Sequence, residues 1–286
     1  MTASNMEQET LTSLTQVEPA ALQYDLIVPP KPKPTASEIK KLHAHFYGGI
    51  AQGFDEFNAK STRGLYFNTI NTEIASYLAS RGNIGRLLSV AAGTGYREES
   101  IRRLSGLDFE ITCVDISPEM CGIAAGRGFT AVCSGLSEAN LEFESFDACI
   151  FLNGFEVLCS SFERLEYFQK ISSSLKSGGL FFIDAMDIDD KNDSWAAQVK
   201  GQFENENLQD FGYELGDCFC RRTDQESIVF AHYSNREEMR RLFADSDFDV
   251  SKLQYYSEET GMACAAYQGN MFFVAEKGES FSRSIT

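Results

Sequence analysis

The stretch Leu87–Gly95, LLSVAAGTG, leads from an apolar segment into a loop of small residues. A second apolar segment ends at Asp115, which stands 20 residues after Gly95. Glycines at such a turn let the backbone approach a ligand closely, and an acid at the tip of the next strand accepts hydrogen bonds from ribose hydroxyls. The spacing therefore predicts an open α/β sheet that binds a nucleoside at the ends of its strands.

The residues around the loop narrow the class of nucleoside. A dinucleotide-binding fold carries a third glycine where Tyr96–Glu98 follows here, and the lysine and hydroxyl residue of a P-loop are missing as well. The loop instead resembles the first motif of the class I S-adenosylmethionine-dependent methyltransferases. That resemblance implies that Ala91, Gly93 and Gly95 cradle the methionine end of the cofactor and that Asp115 holds its ribose.

Further segments carry the same resemblance. Residues 146–153 resemble the fourth strand of the family, and the LKSGG turn at 175–179 leads into a fifth strand that ends near residue 185. Residues 248–250 and 270–275 resemble the closing strand pair. The resemblance implies a Rossmann-like, mostly parallel sheet of seven strands with helices on both faces and a hairpin inserted after the fifth strand.

The chain departs from the pattern of the family at three places. Relatives usually carry an acid at the position of Ser89, often a glycine at Ala91, and often an acid near the adenine, about where Leu136 and Ser137 stand. These departures bear on cofactor affinity rather than on the fold. With them included, the resemblance implies eleven cofactor-binding residues: Tyr47, Ala91, Gly93, Gly95, Asp115, Ile116, Met120, Gly135, Leu136, Ser137 and Asn153.

Composition restricts the partners. The chain has 286 residues and a net charge of −17, which argues against a nucleic-acid substrate and an anionic membrane surface, because both require a basic face. No apolar run in the sequence is long enough to span a bilayer. The 8 cysteines are scattered and are expected to be free thiols in a reducing cytoplasm. We therefore expect a cytoplasmic protein with a small-molecule substrate and an oligomeric state that the sequence does not indicate.

Three regions are predicted along the chain. Residues 1–34 are interpreted as a flexible, proline-rich leader, residues 35–84 as an N-terminal helical lid, and residues 85–286 as the Rossmann-like core. Within the core, residues 185–235 are interpreted as an inserted lid and hairpin.

Short patterns predict the ends of several elements. The capping-box pattern at Thr35–Glu38 starts a helix that is expected to stop at Gly48-Gly49, and a second one at Ser234–Glu237 starts another. Ser117 is predicted to cap a helix. The hairpin is expected to turn near Asp224-Gln225. Two helix faces are also expected, on Phe67, Ile70, Ile74 and Leu78, and on Phe162, Leu165, Phe168, Ile171 and Leu175.

Two residues are candidate general bases. His232 lies at the end of the predicted hairpin and titrates near neutrality, and Glu156 follows the fourth strand at the edge where such sheets place ligands. The alternatives are a buried or surface histidine and a glutamate that only complements a helix dipole.

Further side chains are candidates for the site, some with an alternative interpretation. Tyr47 either lines the methyl-transfer site or packs one helix onto the sheet. Candidate substrate-binding walls are Phe54, Tyr66, Phe155, Trp195 and Tyr233. The aspartates at 184–190 are interpreted as a solvated turn, with magnesium binding as the alternative, so no metal is predicted.

The sequence thus predicts S-adenosylmethionine-dependent methyl transfer to an oxygen, nitrogen or carbon of a small molecule. Two alternatives remain at this point. The chain could bind the cofactor and perform non-methylating chemistry such as a cyclisation or rearrangement, or it could be a non-catalytic regulatory partner.

Overall fold

The computed structural model describes residues 24–60, 63–222 and 227–278. The strands among these residues are β1 (Tyr24–Ile27), β2 (Arg86–Val90), β3 (Glu110–Asp115), β4 (Thr130–Cys133), β5 (Phe146–Phe151), β6 (Leu175–Ala185), β7 (Asp217–Arg222), β8 (Ile228–His232), β9 (Phe248–Tyr256), β10 (Ala263–Cys264) and β11 (Asn270–Lys277). The α-helices are α1 (Ala36–Ile50), α2 (Phe54–Lys60), α3 (Arg63–Arg81), α4 (Tyr96–Ser105), α5 (Pro118–Gly126), α6 (Ser161–Ser174), α7 (Ser194–Asn205) and α8 (Arg236–Ala244).

The main sheet has the strand order β10-β9-β11-β6-β5-β2-β3-β4. Strands β4, β3, β2, β5 and β6 are parallel, whereas β11 runs antiparallel to both β6 and β9. The predicted Rossmann-like, mostly parallel sheet is confirmed, with the two-residue β10 added at one edge. The order reverses between β2 and β5, which is where open α/β sheets bind ligands.

Both faces of the main sheet are buried. Leu87 belongs to one hydrophobic cluster with Ile70 of α3, and Leu88 belongs to another with Phe168 of α6. Successive strand residues point to opposite faces, so each face packs against its own helices. The carboxyl ends of the parallel strands remain available for a site.

A separate three-stranded sheet has the order β1-β7-β8. Strand β1 pairs antiparallel with β7, and Lys33 Nζ donates a hydrogen bond of 2.5 Å to Asp217 Oδ2. The prediction of a flexible leader is therefore wrong for residues 24–34, because strand pairing and a buried ion pair hold them. Residues 1–23 lie outside the described part of the chain.

The predicted helix ends are partly confirmed. Thr35 forms a complete capping box with Glu38, and Ser117 caps α5. The predicted stop at Gly48-Gly49 is wrong, since α1 continues to Ile50. The cap of α8 is Asn235, whose side chain accepts from the Glu238 N–H, one residue later than the predicted Ser234.

The predicted helix faces and the predicted hairpin are confirmed in part. The face on Phe67, Ile70, Ile74 and Leu78 is buried in α3 as predicted. The face on α6 is wrong at Phe162, which is 76% exposed at the first turn, while Leu175 is buried as the first residue of β6. Strands β7 and β8 form the expected hairpin, but Asp224-Gln225 lies outside the described residues. No described helix combines the length and the apolar character that crossing a membrane requires.

Candidate functional site

The glycine-rich loop follows β2 and turns sharply into α4. Ala91, Gly93 and Gly95 all have positive φ, at 52°, 55° and 77°. This conformation favours glycine and is costly for alanine, so Ala91 holds a strained position. The Gly93 N–H donates to Asp115 Oδ2 at 2.8 Å, which ties the loop to the end of β3.

A first cavity lies at the carboxyl ends of β2, β3, β4 and β5, beneath α1. It contains nine of the eleven residues predicted to bind the cofactor, together with Phe54, which was predicted as a substrate wall. The nine are Tyr47, Ala91, Gly93, Asp115, Ile116, Met120, Gly135, Leu136 and Asn153.

Gly95 and Ser137 are not among the lining residues of the first cavity. Gly95 precedes α4, and a Cβ there would lie 2.8 Å from the Phe129 ring. Its glycine therefore serves the close approach of the loop to Phe129. Ser137 lies one residue beyond the lining, in the short helix that starts at Leu136.

A second cavity of about 920 Å³ adjoins the first. Tyr47 and Val157 line both cavities, so the two meet at these side chains. Glu156, Trp195 and Tyr233, which were all singled out in the sequence, line the second cavity. Its walls come from β1, from the β7–β8 hairpin and from the segments after β5 and β6.

Two predicted substrate walls lie in the protein interior instead. Tyr66 is fully buried in α3, and its hydroxyl donates to Asp184 Oδ2 at 3.0 Å. Phe155 is fully buried against Phe151 and Phe168. Neither lines either cavity, so their assignment as substrate-binding residues is wrong.

The structure also contradicts a catalytic role for His232. The residue is buried and lines neither cavity, and its Nδ1 lies 2.7 Å from Asp217 Oδ1 and its Nε2 3.1 Å from Glu238 Oε2. Burial alone would lower the pKa of His232, but the hydrogen bonds to Asp217 and Glu238 outweigh it and raise the pKa. A protonated imidazole between two carboxylates ties β8 to β7 and α8 and has no free nitrogen to accept a proton.

We expect stability to depend on pH through His232. A raised folded pKa stabilises the protein fully below the unfolded pKa of about 6.5, and this contribution is lost as pH rises through the folded pKa. The free energy of unfolding of the wild type should therefore fall as pH rises from about 6.5 through the raised pKa of His232, and the His232→Gln variant should lack this fall. Urea denaturation followed by circular dichroism across this range measures both. An equal slope in the variant would contradict the assignment.

Glu156 has the electrostatics of a base. It lies in the short helix Phe155–Val157 after β5, and burial, together with the negative charge of Asp184, raises its pKa to about 7. A carboxyl with this pKa is half ionised near neutral pH and can accept a proton there. Glu156 is therefore the one predicted base that the structure places in a cavity.

Three polar residues of the first cavity were not among the predicted site residues. Arg97 and Glu98 of α4, and His43 of α1, all line it and each has at least one buried polar atom without a hydrogen-bond partner among the described residues. Burial lowers the pKa of His43 to about 4, so its ring is neutral. The sequence offered one signal for Glu98, namely the serine at position 89 where relatives usually carry an acid. In the structure the Ser89 hydroxyl donates a hydrogen bond to Glu98 Oε1.

The aspartates at 184–190 have other partners in the structure. Asp184 accepts hydrogen bonds from Tyr66 and from the Asn153 N–H, whereas Asp189 pairs with Lys200. In the part of the chain that the structure describes, no group of three or more His, Cys, Asp or Glu residues is placed to hold a metal ion.

Residues 87–179 match the family model described as a methyltransferase domain. No curated protein matches the chain. Among solved structures, the fold is similar to an S-adenosylmethionine-dependent methyltransferase from Clostridium acetobutylicum, at a TM-score of 0.57 and 16% identity over 83% of this chain and 98% of the other. It is also similar to the 1,6-didemethyltoxoflavin-N1-methyltransferase of Burkholderia thailandensis, at a TM-score of 0.56 and 14% identity over 90% and 96%.

The chain thus contains a segment that matches a methyltransferase domain, and its fold is similar to that of S-adenosylmethionine-dependent methyltransferases. The family match runs from the glycine-rich loop through β5 to the start of β6 and thus includes the loops that line most of the first cavity.

Proposed function

We propose that this enzyme methylates a small-molecule amine that binds in the second cavity, with S-adenosylmethionine bound in the first. The observation that carries the proposal is the junction of the two cavities at Tyr47 and Val157. A methyl donor and an acceptor must meet across such a junction. A volume of about 920 Å³ is in the range of sites for small organic ligands.

The residues of the first cavity fit the cofactor. Asp115 offers carboxylate oxygens for the ribose hydroxyls, Gly93 lets the loop approach the ligand, and apolar side chains from Ile116, Met120 and Leu136 suit the base. The buried polar atoms that have no partner among the described residues require polar groups on the ligand. When bound, S-adenosylmethionine supplies a methyl group that its sulfonium has already activated.

The protein positions the acceptor and excludes water from the junction. In our proposal, residues 35–84 cover the first cavity through Tyr47 and Phe54, and residues 185–235 close the second through Trp195 and Tyr233. Residues 24–34 belong with this cover rather than with a leader, because β1 extends the sheet of the hairpin.

The charges of the second cavity favour a cationic acceptor. Arg63 is the one basic side chain among its described lining residues, and it forms an ion pair with Glu258. Aromatic rings share the same walls, and rings and carboxylates together attract cations. An acceptor with a carboxylate or phosphate would be repelled. The lining carboxylates are Asp25, Glu156, Asp190, Asp193, Glu258 and Glu259.

Glu156 is the proposed catalytic base. A protonated amine has no lone pair with which to attack a methyl group, so one proton must leave first. The Glu156 carboxylate lies beside Val157 at the junction, and its raised pKa lets it take that proton near neutral pH.

We expect Glu156→Gln to reduce kcat by about a hundredfold, the effect typical of a lost general base. In the wild type, activity should rise with pH through about 7, since Glu156 must be deprotonated to act. This limb of the pH–rate profile should be absent in the variant. Glu259→Gln, on the wall of the same cavity, is the matched control and should keep the limb. A limb that persists in Glu156→Gln would assign the proton transfer elsewhere.

A matched set of acceptors tests the substrate class. Three compounds share one aromatic body and differ in the end group: phenethylamine, 2-phenylethanol and phenylacetate. Each is incubated with the enzyme and with S-adenosylmethionine that is labelled in the methyl group. We expect label in the amine alone. Fluorescence of Trp195, the single tryptophan of the chain, reports binding to the second cavity independently of turnover. Label in phenylacetate alone would contradict the proposal.

A further inference from the structure

Glu98 offers a carboxylate oxygen to the first cavity that no described protein group satisfies. The residue is 4% exposed in the first turn of α4, and its Oε1 accepts a hydrogen bond of 2.6 Å from the Ser89 hydroxyl. Its Oε2 has no hydrogen-bond partner among the described residues. A buried carboxylate oxygen without a partner is costly, so a donor on a bound ligand is the natural complement.

Arg97, the preceding residue, offers a donor of the opposite charge. Its Nε donates to Asn71 Oδ1 at 3.0 Å, its Nη1 donates to Asn153 Oδ1, and its guanidinium lies 4.7 Å from the centre of the Phe67 ring. These contacts fix the plane of the guanidinium. Its Nη2 is buried and has no acceptor in the described part of the chain, although Arg97 lines the first cavity.

The two side chains form a pair of complementary charges on one wall. Both residues stand in the first turn of α4 and line the first cavity, so one ligand in that cavity can contact both. Arg97 suits a carboxylate and Glu98 suits an ammonium. A molecule that carries both groups on one carbon is an α-amino acid.

We propose that Arg97 and Glu98 bind the amino-acid end of the cofactor, with Arg97 Nη2 on its carboxylate and Glu98 Oε2 on its ammonium group. This inference rests on the proposed binding of S-adenosylmethionine in the first cavity. Ser89 holds Glu98 in place through the Oε1 hydrogen bond, and Asn71 and Asn153 hold Arg97. The pair selects adenosyl ligands that retain the zwitterion.

Calorimetric titration with three ligands tests the pair without any turnover. S-adenosylhomocysteine has the whole amino-acid end, its decarboxylated analogue retains only the ammonium group, and 5′-methylthioadenosine has neither charge. Glu98→Gln retains the side-chain volume and the oxygen that accepts from Ser89 but loses the negative charge. Arg97→Lys retains the positive charge but loses the paired N–H donors of the planar guanidinium. Glu99→Gln is the matched control, because Glu99 is the next residue of α4 and pairs with Arg127 outside the first cavity.

Each variant has its own expected pattern. Glu98→Gln should weaken S-adenosylhomocysteine and its decarboxylated analogue by about tenfold or more and leave 5′-methylthioadenosine unchanged. Arg97→Lys should weaken S-adenosylhomocysteine alone, and Glu99→Gln should change none of the three. Unchanged binding of 5′-methylthioadenosine also shows that a variant is folded.

The outcomes separate this inference from the proposed function. If Glu98→Gln weakens all three ligands equally, or none, Glu98 serves only Ser89 and the inference is overturned. If the wild type binds 5′-methylthioadenosine as tightly as S-adenosylhomocysteine, the pair does not read the zwitterion, although cofactor binding itself stands. If the folded wild type binds none of the three, the proposed cofactor site fails and this inference fails with it.

Discussion

An Asp115→Ala variant is expected to bind S-adenosylmethionine about a thousandfold more weakly than the wild type, because it loses two charge-assisted hydrogen bonds to the ribose. The variant also loses the contacts that order the site. Asp115 Oδ2 accepts from the Gly93 N–H at 2.8 Å, and Oδ1 accepts from the Ser117 N–H at 2.9 Å. One carboxylate thus orients the loop and the cap of α5, and in our proposal it holds the ligand as well.

Asp147→Ala is the matched control for this prediction. Asp147 Oδ2 accepts from the Gly85 and Arg86 N–H groups, both at 2.9 Å, and so performs a similar backbone role at the start of β2, away from the first cavity. Calorimetric titration should show ordinary affinity in this variant. An Asp115→Ala protein that binds within about threefold of the wild type would remove Asp115 from the proposed site.

Arg164→Met is expected to destabilise the protein by about 3 kcal/mol, because it leaves the partly buried carboxylates of Glu214 and Glu238 and the buried Leu158 carbonyl without their partner. Arg164 is 1% exposed in α6. Its Nε donates to Glu238 Oε1 at 2.6 Å, its Nη1 donates to the Leu158 carbonyl at 3.0 Å, and its Nη2 pairs with Glu214. A loss of this size is a large part of the stability of an ordinary domain.

Urea denaturation of Arg164→Met beside Arg240→Met measures the effect. Arg240 lies on the exposed face of α8 and pairs with Glu237 of the same helix, so its replacement should leave the unfolding midpoint nearly unchanged. Equal midpoints for the two variants would show that the buried network around Arg164 contributes little.

Local patterns predicted the parts of the fold and site that depend on neighbours in sequence. The loop at Gly93, the acid at Asp115 and the caps at Thr35 and Ser117 each need only a few adjacent residues, and the structure has them where the patterns indicate. The cofactor-binding roles of these loop residues stay predictions until binding is measured.

The remaining features of the site depend on tertiary contacts, which local sequence patterns do not indicate. His232 has the chemistry of a base, but Asp217 and Glu238 arrive from other elements and occupy both ring nitrogens. Arg97 and Glu98 lie in a strongly charged helix that is typical of a solvated surface. Arg97 is partly buried against Asn71 and Phe67 of α3, and Glu98 is buried against Ser89 of β2, neither of which the sequence of α4 alone indicates.

The pairing of β1 with β7 has a consequence for the order of folding. Tyr24 pairs with Arg222, so the small sheet closes a loop that contains most of the chain, including the parallel core strands β2 to β6. Closing a long loop costs conformational entropy before its contacts stabilise the structure, so non-local strand pairings form slowly. We therefore expect the parallel core, which contains the first cavity, to assemble first. The wall of the second cavity would then be completed late, when the β7–β8 hairpin pairs with the earlier strand β1.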